Sequence, residues 1–144
     1  MPAAIDFIGG LVAGGWPAVM ARNRALALYG RDALDDALGG GGRLGSPDAM
    51  IGSMAALPLP PDGPLGGVEA TGSSPLDTDP VQLVLYDRFA IEVPIGAWPV
   101  PAAEGSSPST RFIRISAALH NDAADIDRLV AAIGELESAA TASG

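Results

Sequence analysis

The sequence predicts an α+β fold: a small, mainly antiparallel three-stranded sheet with helices packed on one face, preceded by two helices. Three observations predict it. The expected elements run α-α-β-α-β-β-α, the last two strands have no helix between them to make a parallel crossover, and the last helix is clearly amphipathic. At 144 residues the chain has the length of one domain, with residues 1–40 as leading helices and 46–140 as a sandwich of sheet and helices.

Residues 2–14 and 16–38 read as two helices separated by Gly14-Gly15. In the second, Val19, Asn23, Leu26, Leu34 and Leu38 fall near one face, and Arg22, Arg24 and Arg31 are expected largely elsewhere. The run 39-GGGG-42 ends it. Residues 49–57 are the expected first strand, followed by a Pro-, Gly-, Ser- and Asp-rich loop over 58–79. Asp79 then caps a helix with Pro80 at its first position, and Val81, Val84, Leu85 and Phe89 form its apolar stripe. In 90-AIEVPI-95 the residues Ile91, Val93 and Ile95 share one face of a strand, and Pro94 marks an edge position or a bulge. A second loop, 99–110, leads to the third strand. Asn121 or Asp122 caps a last helix over 122–139, and Asp125, three residues beyond Asp122, gives an arrangement similar to a capping box. Asp125 and Asp127 suit the positive end of its dipole, and Ile126, Leu129, Val130, Ile133 and Leu136 mark its buried face.

The composition excludes several kinds of function. Seventeen acids against eight arginines give a net charge of −9, so neither nucleic acid nor an anionic membrane is an expected partner. The absence of cysteine removes disulfides, thiolate zinc sites and thiol catalysis, and a single histidine, His120, removes multi-histidine metal sites. The uncharged stretch from Phe7 to Ala21 is shorter than the ~20 residues that span a bilayer. Asp6 stands where a signal peptide is basic, so a cytoplasmic protein is expected. There is no lysine: every basic side chain is an arginine, at 22, 24, 31, 43, 88, 111, 114 and 128. Chemistry that needs an ε-amino group must draw it from outside these residues.

The third strand carries the main question. In 111-RFIRISAALHND-122 alternation points Phe112, Arg114 and Ser116 one way and Arg111, Ile113, Ile115 and Ala117 the other. The isoleucines belong against the helices, so Arg114 leaves the opposite face. Spacing alone favours a surface arginine with its stem lying on Phe112. The other reading is a planar fork aimed at a carboxylate. His120 reads most simply as a polar residue near the helix cap, and Ser116 has no elbow motif around it. Trp16 and Trp98 read as core or interface anchors. The four-glycine run lacks the spacing of a nucleotide loop. A stand-alone hydrolase has no nucleophile constellation behind it.

A family resemblance bears on that choice. 114-RISAALHNDAADIDRLVAAI-133 resembles the C-terminal signature of class V aminotransferase-like, pyridoxal phosphate-dependent enzymes: an Arg-x-Ser strand, an aromatic-Asn pair, then an acidic helix start ending in Asp-Arg-Leu. Upstream, 47-PDAMIGSMAALPLP-60 is similar to the matching strand of the isopenicillin N epimerase branch. 79-DPVQLVLYDRFAIEVPIGAW-98 follows in the same order, and 16-WPAVMARNRALAL-28 resembles the helix by which these enzymes enter their small domain. His120 departs from the pattern, standing where the family usually has tyrosine.

The resemblance implies the small C-terminal domain of a fold-type I enzyme, as a fragment or a separately encoded piece. It implies that Arg114 faces the active-site cleft and binds the α-carboxylate of an amino-acid-like substrate. It also places the Schiff-base lysine, the aspartate that pairs with the pyridine nitrogen and the phosphate-binding residues in a large domain outside these residues. The expectation is therefore no cofactor site in this chain, pyridoxal phosphate in the parent enzyme, no activity for the chain alone, and a large cofactor-binding domain or subunit as partner. Epimerases, desulfurases, lyases and transaminases share such a domain, so the reaction stays open. The alternative is a non-catalytic binding or assembly module derived from the same fold.

Overall fold

Burial in the third strand follows the two-residue period of the sequence. From Thr110 to Ser116 the residues Arg111, Ile113 and Ile115 are buried, Arg114 and Ser116 are exposed and Phe112 is half-buried. The computed structural model describes residues 2–41, 46–61, 63, 65, 78–98 and 110–142, without the side chains of Pro2 and Trp98. Its elements in chain order are α1 (Pro2–Gly10), α2 (Gly15–Ala37), a 3-10 turn (Asp48–Met50), β1 (Met54–Pro58), α3 (Pro80–Phe89), β2 (Ile95–Trp98), β3 (Thr110–Ser116) and α4 (Ala123–Ala142). The expected loops at 58–79 and 99–110 lie largely outside the described residues, as do Arg43 and the side chain of Trp98.

The fold is α+β, as expected, with a sheet that is antiparallel throughout and ordered β1-β3-β2. β3 pairs on both sides: Ala56 lies opposite Arg114 and Leu57 opposite Ile113, while Gly96 lies opposite Phe112. The inward residues Ala55, Leu57, Ile95, Ile113 and Ile115 form one core with Ala27 and Leu34 of α2, Val81 and Leu85 of α3, and Leu129, Ala132 and Ile133 of α4. Fully burying a Leu or Ile contributes about 1.5–3 kcal/mol, so this shared face sets the orientation of everything attached to it. α2 packs tightly on its neighbours at Gly30, where an added Cβ would stand 2.6 Å from Ile115 Cδ1 of β3 and 3.0 Å from Ile126 Cδ1 of α4.

Several boundaries differ from the sequence expectation, each for a local reason. α1 stops at Gly10, and Gly14 (φ 96°) and Gly15 (φ 64°) turn the chain through left-handed conformations into α2. The bend between the two helices is 69°, and no single described helix is long and apolar enough to cross a membrane. β1 begins at Met54 and not at 49, because residues 48–50 form a 3-10 turn. Arg24 holds that turn by donating to the carbonyls of Asp48 (2.7 Å) and Ile51 (3.1 Å). The strand expected at 90–95 starts only at Ile95. α3 closes through a left-handed Ala90, with the Ile91 N–H returning to the Leu85 carbonyl. Pro94 then accepts from the Arg114 N–H (3.0 Å) and has no N–H to return, so the ladder ends there. On the outer edge of β2 the Ile95 N–H is taken by Gln82 Oε1 (2.9 Å).

Both expected helix caps are present. The Asp79 carboxylate accepts from the Val81 N–H (2.9 Å) at the head of α3. At α4, Asp122 Oδ1 accepts from the Ala124 and Asp125 N–H groups and Asp125 Oδ2 accepts from the Asp122 N–H. Asp79 also closes on a buried cation: Arg111 Nε and Nη2 donate to its two oxygens at 2.8 and 2.6 Å, and Nη1 donates to the Leu65 carbonyl. Both side chains are only 6% exposed.

A second buried arginine corrects the expectation for α2. Arg31 lies on its inner face, 3% exposed, paired at 2.7 Å with both Asp32 and Asp48. Burial works against its charge, but hydrogen bonds to those two carboxylates outweigh it and hold its pKa above the usual guanidinium value.

Removing one partner of a buried pair strands the other charge, at a cost of about 3–5 kcal/mol. Arg111→Met is expected to lose that much in urea denaturation, and the double change Asp79→Ser, Arg111→Met to recover most of it, since serine keeps the cap. A loss below about 1 kcal/mol for the single change speaks against this role. Tyr29 donates to Asp127 Oδ1 across α2 and α4, and that hydrogen bond raises the phenol's pKa above its ordinary value. Its contribution is therefore complete below the unfolded phenol's pKa and disappears as pH rises through the folded one. The stability gap between the parent and Tyr29→Phe, measured by thermal melts, should be flat up to about pH 10 and shrink above it.

Candidate functional site

A guanidinium at a folded surface usually finds an acceptor, and nearly every described arginine here has one. Arg22 of α2 donates to the carbonyls of Ala118 (3.1 Å) and Asn121 (2.7 Å), fastening the turn that leads from β3 to α4. Arg24 and Arg31 hold the 48–51 turn, and Arg111 holds Asp79. Arg88 pairs with Glu135 at 2.8 Å, and Arg128 donates to the Phe89 carbonyl at 3.3 Å. Among the described residues Arg114 alone has a guanidinium with no hydrogen bond or ion pair.

The fold accounts for its placement. Arg114 is in the central strand, so both flanks are occupied by neighbours, Ala56 on one side and Pro94 on the other. Its side chain leaves the face opposite the helices. There it lines an open concavity of about 490 Å³ with Ala56, Pro94, Ile95, Gly96 and Phe112. No carboxylate is among those described lining residues, so on this side the charge lies over an apolar floor. Arg114 also reaches the rim of a smaller hollow of about 170 Å³, where residues 91–94 leave the sheet.

The other sequence candidates are distributed differently. Ser116 shares the smaller hollow with Arg114, Asn121 and Asp125. His120 is exposed in the turn before α4 and lines neither concavity. Trp16 is a surface residue and not part of the core. Its indole N–H donates to the Ile5 carbonyl (3.1 Å), and its ring covers Gly9, where an added Cβ would come within 2.8 Å. The four-glycine run ends α2 with Gly39 and Gly40 in left-handed conformations. Gly96 was missed by sequence reasoning; a glycine opposite an aromatic residue inside an otherwise ordinary strand is the signal that points to it.

No protein-family model matches the chain, and no curated protein matches it. With no lysine in the sequence, its residues do not fit a covalently held pyridoxal phosphate. What the arrangement can do chemically is bind an anion: a planar fork of donors on an apolar surface suits a carboxylate.

An exposed, unpaired cation contributes little to folding. Arg114→Met is expected to leave the urea midpoint within about 0.5 kcal/mol of the parent. A loss comparable to that of Arg111→Met would make Arg114 a structural residue.

Proposed function

We propose that this chain is a carboxylate-binding domain similar to the small C-terminal domain of class V aminotransferase-like, isopenicillin N epimerase-like enzymes. In this reading Arg114 holds the α-carboxylate of an amino-acid-like substrate. The observation that carries it is the unpaired Arg114 guanidinium over an open apolar concavity, in a chain whose other described arginines are engaged. The Arg-x-Ser strand and the capped helix that follows it supply the family likeness.

The division of labour follows from the side chains present. Pyridoxal phosphate supplies electron withdrawal from the substrate's α-carbon, and its lysine must come from a separate cofactor-binding domain or subunit, since this sequence has none. The part left to this chain is orientation. A carboxylate held by a guanidinium gains about 1.5–3 kcal/mol when the contact is shielded and about 0–1 kcal/mol when it is exposed. The open concavity of the isolated chain therefore binds more weakly than millimolar, which corresponds to about 4 kcal/mol. Useful affinity needs a partner that covers the site.

A titration of isotope-labelled chain by NMR tests this. L-alanine is expected to shift the Arg114 Nε–H and neighbouring amide signals at roughly hundreds of millimolar, the range that about 1 kcal/mol corresponds to. L-alaninamide, which lacks the carboxylate, and the Arg114→Met chain should show no such response. Equal responses to acid and amide would sink the proposal. In a complex reconstituted with the cofactor domain, Arg114→Met should act mainly by raising KM.

One observation favours a second reading, that of a non-catalytic assembly module. α1 carries a single charged side chain, Asp6, and exposes Ile5, Phe7 and Ile8, with Leu11 just beyond its end; Phe7 is 68% and Leu11 54% accessible. A helix that is apolar all round is normally buried. In that reading Phe7→Asp or Leu11→Asp abolishes partner binding, whereas Arg114→Ala leaves both binding and function of the assembly unchanged.

A further inference from the structure

The floor beside Arg114 contains a residue that the strand itself does not require. Gly96 sits in β2 opposite Phe112, on the outward face. It is not among the glycines with positive φ, so its backbone is one that any residue adopts. A Cβ built there meets nothing within 4 Å, so packing does not require glycine either. Glycine inside a strand weakens it and often marks a place where a ligand comes close to the backbone. The position opposite Arg114 on the other flank is Ala56, also small. Neighbouring strands are about 4.8 Å apart, so the two small residues leave shelves on either side of the ridge formed by Phe112 and Arg114.

The chemistry of the lining restricts what those shelves can hold. Ala56, Pro94, Gly96 and Phe112 offer apolar surface, and Arg114 is the single charged side chain among the described lining residues. Among the described lining residues nothing answers a second carboxylate. We propose that the ligand is a monocarboxylic acid whose apolar body lies across the sheet over Gly96 and against Phe112, and that Gly96 sets how bulky that body can be. This rests on the carboxylate reading of Arg114 and adds the substrate class to it.

Three acids separate the two claims: acetate, 3-phenylpropanoate and glutarate, each titrated into the labelled full chain with dissociation constants read from the Arg114 and Gly96 signals. Burial of an apolar body should make 3-phenylpropanoate roughly ten-fold tighter than acetate, and glutarate should be no tighter than acetate. Gly96→Leu fills the shelf. It should cut the phenylpropanoate advantage to within about two-fold while leaving the acetate response at Arg114 unchanged. An unaltered chain that binds acetate and 3-phenylpropanoate equally, or prefers glutarate, overturns the inference and leaves the carboxylate reading standing. So does a folded Gly96→Leu chain that keeps the full preference. Absence of any response at Arg114 to all three acids overturns both. The ligand series on the unaltered chain decides the question even where Gly96→Leu fails to fold.

Discussion

A strand bonded on both edges leaves its side chains only two directions, and β3 is such a strand. Arg111 and Arg114 are three residues apart, an odd number, so a straight central strand must send them to opposite faces. One guanidinium enters the core with Ile113 and Ile115, and the other leaves it. The two then obey opposite rules. Inside, an unpaired charge is unsustainable, and Arg111 finds two carboxylate oxygens and a carbonyl. Outside, water satisfies the charge, so Arg114 is free to bind something else.

The inward solution ties together parts that are far apart in sequence. Asp79 caps α3 and neutralises Arg111 with the same carboxylate, so the head of α3 and the start of β3 are positioned as a unit. At the other end of β3, Arg22 holds the Ala118 and Asn121 carbonyls, which fixes the exit toward α4. The strand that carries Arg114 is thus anchored at both ends by arginines that are themselves fully engaged. The backbone that carries Arg114 is thereby fixed in direction, while the exposed side chain keeps its own rotamers.

Much of this was legible from local rules. Alternation placed Arg114 outward and Arg111 inward, and cap chemistry identified Asp79 and the Asp122–Asp125 box correctly. Arg31 departs from the expectation because its spacing, four residues from Ala27 and three from Leu34, both buried, puts it on the inner face despite its charge. Its partner Asp48 opens a 3-10 turn that runs into the start of the expected strand, so the pair could not be seen from either side. The late start of β2 depends on Pro94 and on the left-handed Ala90 that closes α3, and for Ala90 no residue-type preference announces such a conformation. The freedom of Arg114 was not legible at all. It depends on where the other guanidiniums go, and Arg22 alone reaches nearly a hundred positions along the chain.

A three-stranded sheet has two raw edges, and an apolar outer face adds a further temptation to stack. The register turns the odd residues of β1 toward β3, as the Leu59 and Ser53 bonds show, so Pro58 falls where an N–H would face outward. At the far edge the Gln82 side chain takes the Ile95 N–H. Each edge therefore lacks a donor that an incoming strand would need. An incoming strand would lose one hydrogen bond at each edge, which weakens pairing in the plane, the route by which exposed sheets grow into fibres. Blunting growth within the plane is what allows the perpendicular direction, where Arg114 points, to stay open.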